Sequence, residues 1–246
     1  MNRKTKIIFV VAAVLSVLYA VLSGLGIAGI QSYTGGLIYR LIIISVLFYS
    51  NLCVLKNILH KPVKNEAFIA GALGLGMLLV FEVYSFIYIY LYDGQHTDIT
   101  ISNYIRNCVY LFFLVAISYL TPPILKSYKT IRFILGITST FLLFIIFFAV
   151  IINSYTLLAY GSLIIKIFCF IVATVLFFKV KKGHPARLFS ISVRLICLLE
   201  TAQQLLFIYG NIWDLYDIFI SFMPLVYLLF GYTLIQLQNI GEEHYE

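Results

Sequence analysis

The chain has 246 residues, of which 62% are hydrophobic and only 11% carry a charge. A soluble domain carries about 25% charged residues, so this composition excludes an ordinary soluble enzyme and indicates an integral membrane protein. The formal net charge of +7 does not predict nucleic acid binding, because the basic residues are divided among several short segments instead of forming one patch.

Apolar stretches long enough to cross a bilayer recur along the whole chain. A helix needs about 20 residues to cross about 30 Å of hydrocarbon. Eight segments meet this length, at roughly 7–30, 37–58, 67–92, 103–125, 132–152, 157–178, 188–209 and 217–237. Each is predicted to be helical, because lipid cannot hydrogen-bond exposed peptide groups. The first is too long for the apolar part of a cleaved signal peptide and is expected to be retained.

Basic residues occupy every second gap between these segments, at 3–6, 56–64, 126–132 and 179–187. The other gaps read QSYTGG, DGQHTD, NSYT and NIWDLYD, which are neutral or acidic. The positive-inside rule therefore predicts that both termini are cytoplasmic. We predict an all-α polytopic bundle of eight transmembrane helices in the plasma membrane, with residues 1–246 forming one integral membrane domain. The bilayer is its expected partner, and basic loops contact anionic lipid headgroups.

Two parts of the chain resemble each other. HKPVKNEAFIAGALGLGMLLVFEVYSFIYIY and GHPARLFSISVRLICLLETAQQLLFIYG each contain a proline, Pro62 or Pro185, followed two residues later by a base and then by a helix with one glutamate in its outer half. We predict two four-helix repeats, 1–126 and 127–246, related by an axis along the membrane normal. The alternative is that such loops independently favour a base and a proline.

Several ionisable residues lie inside the predicted spans. They are Arg40, Glu82, Arg106, Lys166, Arg194 and Glu200. Such groups cost a few kcal/mol each at the centre of a helix, so they face the protein interior and usually pair. At 1.5 Å per residue, Glu82, Lys166 and Glu200 lie roughly 15 Å below the outer surface. Arg40 and Arg106 lie about 5 Å below it. We predict a polar chamber that opens to the outer face, with the deep residues at its floor and the arginines near its mouth.

Three spans carry polar or aromatic stripes that would line this chamber. Within LICLLETAQQLLFIYG, Glu200, Gln203 and Gln204 share one helix face at spacing i, i+3, i+4. The fourth span has a similar polar stripe around Arg106, and the third carries two tyrosines one turn apart near Glu82. The predicted ligand-binding residues are Arg40, Glu82, Tyr84, Tyr88, Arg106, Asn107, Tyr110, Lys166, Glu200, Gln203 and Gln204.

Two other interpretations of these residues remain open. Buried ion pairs and amides also act only to hold helices together, through interactions often worth well under about 2 kcal/mol. For Arg40 by itself the sequence favours snorkelling, in which the side chain extends to the outer headgroups.

Motifs of membrane enzymes are missing from the sequence. It has no HExxH, no GxSxG and no Walker motif. Its four histidines fall outside the predicted spans, and its four cysteines form no CxxC pair. We therefore predict that the protein is not an enzyme and has no catalytic residues, metal site or cofactor.

The last two spans, RLICLLETAQQLLFIYGNIWDLYDIFISFMPLVYLLFGYTLIQ, carry a family resemblance. A helix with polar residues, a short outer loop with WDLYD and a last helix with Gly231 and Tyr232 resemble the multi-helix N-terminal membrane sensor modules of bacterial GGDEF diguanylate cyclases and sensor histidine kinases. The chain is similar to those modules in helix number, topology and size, but we expect no output domain after its last helix.

This resemblance implies a sensor-like, non-enzymatic protein of a bacterial plasma membrane. It would bind a small or lipidic ligand in the outer half of the bundle and signal to a cytoplasmic protein. The alternative is a small transporter or permease subunit, whose buried Glu, Lys and Arg residues line a substrate path. The sequence leaves open whether the protein is a homo-oligomer.

Overall fold

A computed structural model describes the chain over residues 3–25, 33–60, 66–91, 101–120, 155–209 and 218–240. Almost all of these residues are helical, and none of them forms a strand. The helices are α1 (Arg3–Gly24), α2 (Tyr33–His60), α3 (Glu66–Leu91), α4 (Ile101–Leu120), α5 (Tyr155–Lys179), α6 (Pro185–Tyr209) and α7 (Met223–Ile240). The predicted all-α fold is thus confirmed for the described residues.

Five helical segments are long and apolar enough to cross a membrane: Gly36–His60, Glu66–Leu91, Leu158–Lys179, Pro185–Leu206 and Ile218–Gln238. The apolar parts of α1 and α4 are shorter, at Lys6–Leu22 and Tyr104–Leu120. The predicted span 132–152 lies outside the described residues.

Exposed apolar side chains form stripes along the helices. On α2 they recur at spacings of three, four or seven residues, at Ile38, Leu41, Phe48, Leu52, Leu55 and Leu59. This spacing corresponds to one helix face. The outward faces of α1, α3 and α5 carry similar stripes. Because apolar stripes along several helices suit an acyl-chain environment better than water, they agree with a bundle that is surrounded by lipid.

The turn between α5 and α6 follows directly from its sequence. Gly183 has a φ of 90°, a left-handed conformation that glycine adopts at little cost. The Nδ1 atom of His184 accepts a hydrogen bond from the backbone N–H of Ala186 at 3.2 Å. Pro185 is the first residue of α6, where its missing N–H removes no helical hydrogen bond. Consequently α6 reverses direction and packs against α5.

Helices α2 and α7 run in the same direction. Contacts join Ser50 to Gly231 and Asn57 to Gln238, and Tyr39 of α2 contacts Ser221, two residues before α7. The two residues of a pair are 182 apart in sequence at one end of the helices and 181 apart at the other. Such a constant sequence separation occurs only when two helices are parallel. Helices α4 and α5 are parallel by the same criterion, since Asn107 contacts Ser162 and Tyr110 contacts Lys166.

The helix contacts have an internal two-fold pattern. Exchanging α2 with α5, α3 with α6 and α4 with α7 turns every contacting pair among these six helices into another contacting pair. For example, α2 against α3 becomes α5 against α6, and α3 against α7 becomes α6 against α4. Phe113 of α4 and Phe230 of α7 contact each other, with ring centroids 4.9 Å apart. The exchange relates α4 to α7, so their meeting agrees with a two-fold axis between them.

Candidate functional site

Five charged side chains from five different helices meet in one half of the bundle, and we call this set the charge cluster. Its members are Arg40 of α2, Glu82 of α3, Arg106 of α4, Lys166 of α5 and Glu200 of α6. They lie toward the end of the bundle that holds the beginnings of α2, α4 and α5 and the ends of α3 and α6. Each helix therefore contributes one charge to a shared level of the interior.

Glu200 has polar contacts with three side chains of the described residues. Its Oε2 atom accepts a hydrogen bond from Arg106 Nε at 2.6 Å and lies 3.7 Å from Lys166 Nζ. The Tyr110 hydroxyl donates a further hydrogen bond to the same oxygen. The side chains of Glu200 and Lys166 are each only 1% exposed. A carboxylate buried to this extent needs several donors to offset its lost hydration, and these three groups supply them.

Glu82 pairs with Arg40. The Nη1 atom of Arg40 donates to Glu82 Oε2 at 2.9 Å, and both residues are buried. Glu82 also interacts electrostatically with Arg106 and Glu200, so the two ion pairs form one network. The charges alternate in sign in the order Arg40, Glu82, Arg106, Glu200 and Lys166.

Amide and hydroxyl groups extend the network toward α5. Gln204 Oε1 accepts hydrogen bonds from Lys166 Nζ at 2.7 Å and from the Ser162 hydroxyl at 3.3 Å. Its Nε2 group donates to the backbone carbonyl of Ala159 at 2.6 Å. The Ser162 hydroxyl has one proton, which it shares between Gln204 Oε1 and the closer Asn107 Oδ1, at 2.7 Å. Gln204 of α6 therefore binds two groups of α5, the Lys166 ammonium and the Ala159 carbonyl, and fixes the position of the ammonium.

Gln203 differs from its neighbour Gln204. It is 4% exposed, and its Nε2 group has no hydrogen-bond partner. A buried N–H donor without an acceptor costs about 1 to 3 kcal/mol. This group is consequently a donor that a bound molecule or a water could satisfy.

Two buried tyrosine side chains, Tyr110 and Tyr227, interact with the network. The ring of Tyr110 is fully buried, and Lys166 Nζ lies 5.8 Å from its centroid. Tyr227 of α7 is also buried and interacts electrostatically with both carboxylates and both arginines of the cluster. Sequence reasoning missed Tyr227, because its span shows no polar stripe around it. Tyr84 and Tyr88 stack on each other with centroids 6.4 Å apart, and both are half-buried.

The snorkelling interpretation of Arg40 is wrong. Its guanidinium is buried against Glu82, and the reason lies in the helix boundary. Helix α2 begins at Tyr33, four residues before the predicted start of this span. Arg40 is therefore about 10 Å below the end of the helix instead of about 5 Å, which brings it level with the acid.

Arg194, the sixth ionisable residue predicted inside a span, lies outside the charge cluster. Its guanidinium and that of Arg187 are each 4.3 Å from the centroid of the Phe177 ring. Cation–π contacts of this kind contribute about 0.5 to 2 kcal/mol. Phe177 lies near the end of α5 and Arg187 near the start of α6, so this cationic pair belongs to the opposite end of the bundle.

The chemistry available to the charge cluster is that of binding and charge compensation. The described residues contain no group of three or more His, Cys, Asp or Glu side chains that could hold a metal ion. Guanidinium and ammonium groups bind carboxylate and phosphate oxygens through charge-assisted hydrogen bonds. The cluster can therefore exchange one of its internal ion pairs for a contact with an external charged group.

Replacing Tyr110 by phenylalanine tests the hydroxyl's contribution. Tyr110→Phe removes one donor from Glu200 while it keeps the ring in the core, so we expect a loss of about 1.5 to 3 kcal/mol in the free energy of unfolding. The measurement is unfolding in mixed detergent micelles. Tyr160→Phe is the matched control, because Tyr160 is 47% exposed on α5. Equal effects of the two substitutions would contradict a special role for Tyr110.

Comparisons with protein-family models, with curated proteins and with solved structures find no significant match to this chain.

Proposed function

We propose that this chain is a non-enzymatic, sensor-like receptor of a bacterial plasma membrane, and that a small or lipidic molecule binds at the charge cluster. Binding changes the packing of the cluster's helices and is transmitted to a cytoplasmic protein. The observation that carries the proposal is the convergence of Arg40, Glu82, Arg106, Lys166 and Glu200 from five helices.

The energetics of the cluster favour binding over a purely structural role. Well-packed apolar residues often stabilise a protein as well as a buried ion pair of similar volume, so helix packing alone does not require five charges. A charged ligand that pairs with one member of the network changes the ion pairs of the others, because neighbouring members share partners. Helices joined through such contacts respond together when one contact is exchanged.

The proposed topology has eight spans with both termini in the cytoplasm. It requires α4 and α5 to run in the same direction, because one further span, 132–152, separates them. Their parallel packing supports this topology. The basic groups at 56–64 and 179–187 then lie on the cytoplasmic side under the positive-inside rule, and the charge cluster lies in the outer half of the membrane.

Co-purification tests the sensor proposal. The wild-type chain and Glu200→Gln are affinity-purified from native membranes, and the amount of each recovered protein is compared at equal amounts of folded bait. We expect a kinase, cyclase or response regulator to accompany the wild type and its amount to change several-fold with Glu200→Gln. Leu198→Ala, on the exposed side of α6, serves as the control. Recovery of no signalling protein, or of the same amount with every variant, would contradict the proposal.

A second candidate function is transport, and the two-fold pattern of helix contacts favours it. Transporters with parallel repeats bind their substrate where the repeats meet, near the membrane midplane. The exchange of α2, α3 and α4 with α5, α6 and α7 supports the repeats 1–126 and 127–246. Glu82 and Glu200 occupy equivalent helices in the two repeats. The charge cluster therefore lies where the two repeats meet.

Reconstitution into proteoliposomes separates transport from sensing. A transporter is expected to move a small charged solute across the vesicle membrane, and Glu200→Gln or Lys166→Met is expected to abolish the flux. Leu198→Ala should retain it. If the wild-type protein binds a solute without moving it, the transport candidate fails and the receptor proposal stands.

A further inference from the structure

We propose that the turn between α5 and α6 carries a binding site for a phospholipid with a negatively charged headgroup. The site lies at the end of the bundle opposite the charge cluster, so it goes beyond the proposed receptor function. Its polar part consists of Arg187 and Arg194, which we call the arginine pair, on either side of their shared contact with the Phe177 ring. Its apolar part is an exposed stripe of α5 that begins next to this ring.

The two members of the arginine pair hold their charges close together. Each guanidinium carbon lies 4.3 Å from the centroid of the Phe177 ring, so the two carbons are separated by no more than twice this distance. Like charges repel at such a separation. Among the described residues, no carboxylate lies within ion-pairing distance of either guanidinium, and the buried Nε atom of Arg194 has no acceptor. A bound anion therefore supplies the countercharge that the described helices do not.

The depth of the arginine pair follows from the path of the Arg194 side chain. Arg194 lies roughly 14 Å along α6 from Pro185, its first residue. Its guanidinium nevertheless reaches Phe177, close to the end of α5 at Lys179. The side chain thus extends back toward the turn, the direction in which helical side chains lean. An arginine that snorkels in this way places its charge at the level of the lipid headgroups.

The surroundings of the turn are positive. Three further bases are exposed there, Lys179, Lys181 and Lys182. Of the described carboxylates, Glu82 and Glu200 belong to the charge cluster at the other end of the bundle. The third, Glu66, is exposed at the start of α3, which does not pack against α5 or α6. In the proposed topology this turn faces the cytoplasm, and the leaflet on that side of the membrane holds the anionic lipids.

An apolar stripe beside the arginine pair favours a lipid over a soluble anion. Ile171, Val175 and Phe178 have the spacing i, i+4 and i+7 on α5, and all three are exposed. The Phe178 ring contacts the Phe177 ring, with centroids 5.3 Å apart, so the stripe begins at the pair. A phospholipid can place its phosphate at the guanidiniums while an acyl chain lies along the stripe. Inorganic phosphate gains only the first of these contacts.

Thermal unfolding of the detergent-solubilised full chain tests the site. Phosphatidylglycerol replaces phosphatidylcholine stepwise in mixed micelles at constant ionic strength, and the mole fraction that gives half of the full rise in midpoint measures the affinity. We expect phosphatidylglycerol to stabilise the wild type. Arg187→Gln and Arg194→Gln should each weaken its binding about fivefold, the effect of removing one base near an anionic lipid. Arg194→Lys keeps the charge and should restore most of the affinity.

Lys56→Gln is the matched control. Lys56 is an exposed base near the end of α2, and the two-fold exchange of helices relates the turn after α2 to the turn after α5. This substitution removes the same charge at the equivalent place, where no arginine pair is present, and should leave the affinity unchanged. A loss with Lys56→Gln as large as with the arginine variants would show a general attraction of basic loops to anionic lipid and would overturn the inference.

Three other results also overturn it. One is a wild type that phosphatidylglycerol stabilises no more than phosphatidylcholine does. Another is an equal rise in midpoint with inorganic phosphate, which would make the ligand a soluble anion. The third is a phosphatidylglycerol effect that Glu200→Gln abolishes and Arg187→Gln retains, which would place the lipid at the charge cluster. If Glu200→Gln retains the effect, the lipid site stands whether or not the receptor proposal fails.

Discussion

Glu200→Gln is expected to lower the free energy of unfolding by about 3 to 5 kcal/mol, the usual cost of removing one partner from a buried ion pair. Arg106 and Lys166 both use the same carboxylate oxygen, so the substitution leaves two cations without their shared anion. The measurement is unfolding in mixed detergent micelles. Leu198→Ala, on the exposed side of the same helix, should change the free energy by no more than about 0.5 kcal/mol.

A second substitution checks the physical cause. Lys166→Met in the Glu200→Gln background removes one of the two cations that lost their shared carboxylate. The double variant should therefore lose less free energy of unfolding than the sum of the losses in the two single variants. Contacting residues in one network typically show coupling of about 0.5 to 3 kcal/mol. Strict additivity would mean that Lys166 and Glu200 do not stabilise each other and would refute the pairing.

Gly231→Ala is expected to destabilise the protein by about 1 to 3 kcal/mol, because the new methyl group overpacks the contact between α7 and α2. A Cβ atom at Gly231 would lie 2.9 Å from the Cβ atom of Ser50 and 3.6 Å from its Cα atom. Those atoms belong to the backbone and the root of a side chain, so no rotamer change relieves the overlap. Thermal unfolding measures the effect.

Gly76→Ala is the matched control for this substitution. Its Cβ atom would meet only Asn51 Oδ1, at 3.8 Å. Alanine is favoured over glycine inside a helix by about 0.8 to 1 kcal/mol, so Gly76→Ala should be neutral or stabilising. If both alanine substitutions change the free energy of unfolding in the same direction, close packing between α2 and α7 does not decide the stability of this bundle.

The sequence predicted the helices well because the signal for a membrane span is long and strong. The described helices begin and end within a few residues of the predicted spans. The depth of Lys166 and Glu200 followed from those spans, and the two groups do meet. Depth alone could not say which acid pairs with which base. That choice depends on which helices are neighbours, and a hydropathy pattern holds no such information.

A small error in the predicted start of α2 had a large effect on the predicted depth of Arg40. A four-residue shift in the start of α2 changes the depth of the side chain by about 6 Å, which separates a headgroup contact from a buried ion pair. Tyr227 was missed for another reason. It stands alone among apolar residues of its span, and only the packing of α7 against the other helices places it next to the acids.

The meeting of Phe113 with Phe230 bears on the origin of the fold. If the two halves descend from one gene, the ancestral half-length polypeptide assembled as a symmetric homodimer in which the helices related to α4 and α7 met near the rotation axis. Any charge in such a dimer occurs twice. Fusion removes that constraint, so one half can keep a basic residue such as Arg106 on α4 while the related helix of the other half, α7, carries no charge. A symmetric ancestor could not have held an odd number of charges around its axis, whereas the fused descendant holds five in its charge cluster.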